Sequence, residues 1–350
     1  MASTIPTAAK AWRYPPTEPS LWDSYHSLEL RDIEVPLPGK GEILVKIHAV
    51  SLNRQIYGPV KGIALEGLLR WDSDGKGLIP TSDGAGEIVA VGEGVNKWVV
   101  GDRVRSLFNE LWATGQMQST GAALPGSGTQ GCLAQYRIFP ANFVLRVPEH
   151  LSFEEAATIP CAGITAFNAL FESANTTQDS TVLVLGSGGV SVYAAQFAKA
   201  IGATVIATTS SKDKIQKYKG LGVDHVINYR DTPGWAQEVK RLTGGKGVDQ
   251  VLEIGGKGTL MEAIKSIKWK GTAPEYSMLE LAFAIIGSEA RLNGIATGGK
   301  DIAERLDSFI SRHKIKPLVD PRIFEWTEAK DAFQYLDKGS HFGKVVIKVD

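Results

Sequence analysis

TVLVLGSGGVSVYAAQFAKAIGATVIATT, residues 181–209, packs a strand, a glycine turn, a helix and a second strand into one uninterrupted stretch. Val182 to Leu185 is a short apolar run, the pattern of a parallel strand buried on both faces. Gly186, Gly188 and Gly189 turn the chain sharply and leave backbone N–H groups uncovered. Val190, Ala194, Phe197, Ala198 and Ile201 then recur at helical spacing, Gly202 closes the helix, and Thr204 to Ala207 supplies the second strand. This order predicts a βαβ nucleotide-binding unit in which Ser187, Gly188, Gly189 and Val190 offer N–H donors to a pyrophosphate at the positive end of a helix. The third glycine of G-x-G-x-x-G is Ser191, small enough to keep helix and strand close. A βαβ crossover that binds nothing is the competing reading, and the correct strand and helix flanks argue against it.

A chain of 350 residues suggests about two domains of roughly 150 residues each. Lys plus Arg equals Asp plus Glu at 38 each, so no global field draws it to nucleic acid or to anionic lipid. Two cysteines, Cys132 and Cys161, make neither a disulfide framework nor a four-thiolate zinc site, and the scarcity fits a reducing compartment. No signal-like run opens the chain and no segment reaches membrane-spanning length, so a cytoplasmic location without membrane contact is expected.

Residues 1–150 read as β structure. ILVKIHAV (43–50) alternates as a half-buried strand, and GAGEIVAV (84–91), CLAQYRIF (132–139) and FVLRV (143–147) continue the pattern, with a long exposed loop expected over 114–131. At Ser152, followed by Glu154 and Glu155, the period changes to that of helices. Beyond the opening stretch, 212–221, 235–242, 258–267 and 302–313 read as helices, and 225–228, 248–254 and 290–296 as strands, the alternation of a doubly wound sheet. A last amphipathic helix and a terminal strand, 344–349, fit a return to the first domain.

PLPGKGEILVKIHAVSLN (36–53), SDGAGEIVAVGEGV (82–95), VGDRV (100–104), AATIPCAGITAFNAL (156–170), the glycine turn, LGVDHVINY (221–229), GGKGVDQVLEIGG (244–256) and HFGKVVIKV (341–349) resemble, in order, the medium-chain dehydrogenase/reductases. The likeness is to their zinc-independent, quinone-oxidoreductase-like branch, which includes zinc-type alcohol dehydrogenase-like members. It implies an α/β protein with a GroES-like β domain (1–158 and 315–350) and a doubly wound parallel, or Rossmann, domain (159–314). A homodimer joined through the edge strand 290–296 is implied as well.

Selection of NAD uses an acidic residue at the end of the second strand to hold the ribose 2′-OH. Here that place reads Thr208, Thr209, Ser210, Ser211, Lys212, with no carboxylate before Asp213. Hydroxyls and lysines suit a 2′-phosphate, and Ser210, Lys214 and Tyr229 resemble the residues that the family's NADPH users place there. NADP(H) is therefore the expected coenzyme. Gly186 to Val190 are expected at its pyrophosphate; by resemblance, Thr165 lies at its nicotinamide end and Phe342, Gly343 and Lys344 form a C-terminal contact. The positions matching the family's catalytic zinc ligands are Asn53, Ser82 and Cys161, and a single thiol cannot hold a metal that needs three protein ligands. No metal is expected. Hydrogen-bond donors must then assist at the oxygen that accepts charge, and the resemblance points to Asn53 and Tyr57. Where the family often has N-Y-R-D, this chain has Asn53, Arg54, Gln55, Ile56. GIATGGK (294–300) has P-loop spacing but is followed by Asp301, where magnesium needs a hydroxyl.

One departure is larger. After Lys268 the family's P-G-G, apolar strand and glycine loop are missing, and 269–276 run almost directly into an apolar segment. An exon error, a remodelled sheet and a non-catalytic relative are the three explanations, the first preferred. The function expected is NADPH-dependent, zinc-free reduction of a quinone, an enone or another activated carbonyl compound. The alternatives are an NADP(H)-binding scaffold or regulator without turnover, and an NADP-dependent secondary alcohol dehydrogenase.

Overall fold

The alternating sequence of residues 43–50 becomes the spine of an antiparallel sheet. In the computed structural model, which describes residues 5–17, 22–53, 75–117, 124–268, 282, 285–287 and 289–350, the chain forms two units. The first comprises residues 1–164 and 297–350 and the second 165–296. In the first, β1 (Ala8–Arg13) and β2 (Glu29–Glu34) pair antiparallel. β3 (Glu42–Ser51) pairs along one edge with β4 (Asp83–Val91), which continues to β5 (Arg103–Ser106). Its other edge is shared: β6 (Tyr136–Pro140) takes Glu42–Lys46, and β12 (Val346–Lys348), the terminal strand, takes Ala49–Ser51. β7 (Val144–Arg146) closes the row on β5.

β3 is more deeply buried than its alternation predicts, because Leu44 and Val50 are covered as completely as Ile43 and Ile47. Gly86 explains how closely β4 approaches it: a Cβ there would stand 2.0 Å from the Lys46 carbonyl oxygen. Ser152 caps helix Phe153–Ala157 in a reciprocal capping box with Glu155. A π-helical turn, Ile159–Gly163, follows, a wide turn that the change of period does not reveal.

In the second unit β8 (Thr181–Val184), β9 (Thr204–Thr209), β10 (His225–Asn228) and β11 (Gln250–Leu252) form a parallel sheet in the order β10-β9-β8-β11. Helices Gly189–Ala200, Lys212–Gly220 and Trp235–Leu242 connect them. Leu183, Ile206, Ile227, Trp235 and Val239 build its core. Among the described residues the sheet ends at β11, and residues 290–296 are not the expected strand: Leu292 is 65% exposed. A strand needs a ladder partner, and no described neighbour supplies one. The segment 269–281, where the family's apolar strand is missing, lies outside the described residues.

The division falls at 164/165 and 296/297 instead of the expected 158/159 and 314/315. Helix Lys300–His313 therefore belongs to the β unit. Its first amides donate to the Trp112 and Ala113 carbonyls (3.0 and 3.1 Å), and its Asp307 accepts from wholly buried Arg105 of β5 at 2.7 Å. The Lys300 amide, last in the P-loop spacing at 294–300, is thus committed to a neighbouring loop.

Candidate functional site

The glycine turn forms where the sequence put it, between β8 and helix Gly189–Ala200. Gly186 has φ +72°, a conformation that only glycine adopts at no steric cost. The helix has no side-chain cap and no acidic residue in its first turn, so its N-terminal amides keep their positive field. A Cβ on Gly188 would meet nothing within 4 Å, so the backbone lies open on the side where an anion approaches. Ser191 is wholly buried and its hydroxyl donates to the Leu185 carbonyl at 2.6 Å, which is how a serine fits in place of the third glycine.

β9 and β10 pair with Thr209 opposite Asn228, so Ser210 and Tyr229 leave the sheet side by side at its C-terminal edge. The Tyr229 amide donates to the Thr209 carbonyl at 3.0 Å, and Tyr229 is 40% exposed. Ser211 caps helix Lys212–Gly220 by accepting from the Lys214 amide, which sets Lys214 in the first turn at the same edge. Thr209, also buried there, has a hydroxyl with no hydrogen-bond partner among the described residues. An open turn, a bare helix end and hydroxyl and lysine side chains fit the pyrophosphate and 2′-phosphate of a dinucleotide. Two residues to which sequence reasoning gave no part in the turn also reach it. Thr208 Oγ1 accepts from the Gly186 amide (3.2 Å) and the Tyr218 hydroxyl donates to the Gly186 carbonyl (2.6 Å).

Thr165 begins the second unit and is partly buried; Phe342, Gly343 and Lys344 belong to the first. There each has a local task. Phe342 is wholly buried with its amide on Asp320 (2.9 Å), and Gly343, at φ +83°, passes so close to Leu318 that a Cβ would lie 2.4 Å from its carbonyl oxygen. Lys344 Nζ is buried and donates to Leu52 O (2.7 Å) and Asn53 Oδ1 (2.5 Å), with Asp83 Oδ2 at 3.7 Å. Asp83, wholly buried, also accepts from the Ser82 hydroxyl (2.6 Å) and the Cys161 amide (3.3 Å). Burial pushes its pKa up, while Lys344 and these donors draw it back; burial pushes that of Lys344 down, opposed by Asp83. The Asn53 amide lies near enough to help lower Asp83, yet among the described residues its Nδ2 makes no hydrogen bond of good geometry. Tyr57 lies outside the described residues, as do residues 118–123 of the loop expected over 114–131.

The three positions matching zinc ligands do not suit a zinc ion. Asn53 Oδ1 faces an ammonium, the Ser82 hydroxyl is turned to Asp83, and burial pushes the Cys161 thiol up to about 12, away from the thiolate a metal binds.

Residues 39–149 match the family model for the alcohol dehydrogenase GroES-like domain, and residues 189–312 match the zinc-binding dehydrogenase model. A zinc-type alcohol dehydrogenase-like protein of Schizosaccharomyces pombe is 37% identical over 93% of this chain and 96% of its own. The 2-methylene-furan-3-one reductase of Solanum lycopersicum is 31% identical over 98% of this chain and 80% of its own. A crystal structure of an NAD-dependent alcohol dehydrogenase, 29% identical, covers 98% of this chain and 100% of its own with a TM-score of 0.83.

Proposed function

The chain belongs to the medium-chain dehydrogenase/reductase superfamily as an alcohol dehydrogenase-like oxidoreductase, and we propose that it uses NADPH, without zinc, to reduce a quinone, an enone or another activated carbonyl compound. The observation that carries the coenzyme choice is the C-terminal edge of β9 and β10, where Ser210, Lys214 and Tyr229 gather and no carboxylate stands at the end of β9. A reduced nicotinamide, when bound, supplies the hydride. The chain's own part is to hold the pyrophosphate on the amides of Ser187 to Val190 and the 2′-phosphate at Ser210, Lys214 and Tyr229. Asn53 and Tyr57 are assigned to the oxygen that accepts charge, Thr165 to the nicotinamide end. With Phe342, Gly343 and Lys344 buried in the first unit, the part of Lys344 is to hold Asn53 in place through its ammonium, and Phe342 and Gly343 anchor the segment that carries it. The likeness to a reductase of an α-methylene ketone supports an enone substrate. A homodimer and a cytoplasmic location remain part of this proposal.

The likeness to an NAD-dependent alcohol dehydrogenase favours a second reading, reversible oxidation of a secondary alcohol, and the sheet that ends at β11 among the described residues favours a third, coenzyme binding without turnover. Titration with NADPH and NADH, followed by stopped-flow oxidation of NADPH with a panel of quinones and enones, separates them. Tighter NADPH binding and oxidation by at least one acceptor are expected. Tighter NADH binding overturns the coenzyme choice, reduction of NADP+ by secondary alcohols alone favours the second reading, and binding with no oxidation favours the third.

A further inference from the structure

We propose that Thr208 and Tyr218 are positioning residues that clamp the Gly186 backbone from both sides and hold the glycine turn in its anion-binding shape; this rests on the coenzyme reading above. The Gly186 N–H donates to Thr208 Oγ1 at 3.2 Å and its carbonyl accepts from the Tyr218 hydroxyl at 2.6 Å. Both side chains are buried, Tyr218 completely, although it stands on a helix that is otherwise mostly charged. Burying a hydroxyl is unfavourable unless it is hydrogen-bonded, and here two are committed to the backbone N–H and C=O of one residue, in the two peptide units that flank its Cα. That residue most needs them, because Gly186 has positive φ and no Cβ to limit its conformations. Without the clamp the amides of Gly188, Gly189 and Val190 lose their preorganised aim at an anion.

The clamp also has a direction. Thr208 lies two residues before Ser210, and Tyr218 is on helix Lys212–Gly220, whose first turn carries Lys214. The residues assigned to the 2′-phosphate and the residues that shape the pyrophosphate turn are therefore built on one connection, β9 into its helix.

The test compares two probes. NADPH spans both ends, whereas adenosine 2′-phosphate carries the 2′-phosphate and lacks the 5′-phosphate that meets the turn. Tyr218→Phe and Thr208→Val are each expected to weaken NADPH binding about tenfold, the scale of one lost hydrogen bond at a preorganised site, and to leave binding of adenosine 2′-phosphate unchanged. Thr208→Ser, which keeps the hydroxyl, is expected to keep wild-type affinity. Unchanged NADPH affinity in both variants overturns the proposal, and so do equal losses for the two probes, which mark a general loosening of the fold. Should Tyr218→Phe not fold, the Thr208→Val and Thr208→Ser pair decides alone. Wild-type protein that binds neither probe refutes the coenzyme reading, and the clamp falls with it.

Discussion

Lys344 keeps an ammonium group where water does not reach, and its partners explain how. A buried cation is tolerated when paired and fully hydrogen-bonded, and Lys344 has Leu52 O, Asn53 Oδ1 and the Asp83 carboxylate around it. Removing one member strands the other, so Lys344→Met is expected to cost about 3–5 kcal/mol in chemical denaturation. The loss has a pH signature. Burial raises the Asp83 pKa and Lys344 is the largest influence pulling it down, so the variant's carboxyl titrates higher still. A group whose folded pKa lies above its unfolded value is stabilising below the unfolded pKa, and that contribution is lost as pH rises through the folded one. The stability gap between variant and wild type should therefore widen as pH rises above the usual carboxylate range; a gap that narrows would refute the assignment. None of this was legible in the sequence, where Lys344 read as a coenzyme contact. Its partners come from β4 and from the end of β3, and only the folded sheet, with β12 laid against β3, brings them together.

At the level of elements, what the sequence revealed was local and what it hid was long-range. The βαβ stretch was legible because strand run, glycine turn and helical spacing are neighbours in the chain, and the Ser152 cap for the same reason. Thr208 and Tyr218 were not, since a hydroxyl in a strand and an aromatic in a charged helix have no local signature of the peptide they bind. Residues 290–296 misled because a short run with Ala290, Leu292 and Ile295 in a doubly wound pattern promises a strand that only a neighbouring strand can complete. The division between units misled for a related reason: helix Lys300–His313 reads as one more crossover helix, but Asp307 ties it to Arg105 of β5. Arg105 is wholly buried and its Nε has no partner among the described residues, so Asp307 is the counter-charge that makes it tolerable. Asp307→Asn should destabilise the first unit by about 3–5 kcal/mol, and Arg105→Met combined with it should recover much of the loss. Hydrogen exchange at the β5 amides reads both; additive losses in the double variant would show that the pair is not coupled.

Over the whole molecule, each unit has its own apolar core, Ile43, Ile47, Ile88 and Phe333 in one and Leu183, Ile206 and Val239 in the other, and the formal charges sum to zero. Stability therefore rests on burial and on a few internal ion pairs, with Lys344 standing among the positions that would otherwise hold a metal. A zinc site coupled to folding contributes about 10–16 kcal/mol in peptides that depend on it, so its removal would be unmistakable. Dialysis against a chelator is expected to leave the thermal midpoint unchanged. Coenzyme should act in the opposite way, because a ligand that binds only the folded state stabilises it by mass action: NADPH at a hundred times its Kd adds about 2.7 kcal/mol, and NADH at the same concentration adds less. Thermal scans of chelator-treated protein with and without each coenzyme measure all of this at once. A midpoint that drops on chelation and returns with one equivalent of zinc would overturn the metal-free reading, and equal protection by the two coenzymes would overturn the role given to Ser210, Lys214 and Tyr229.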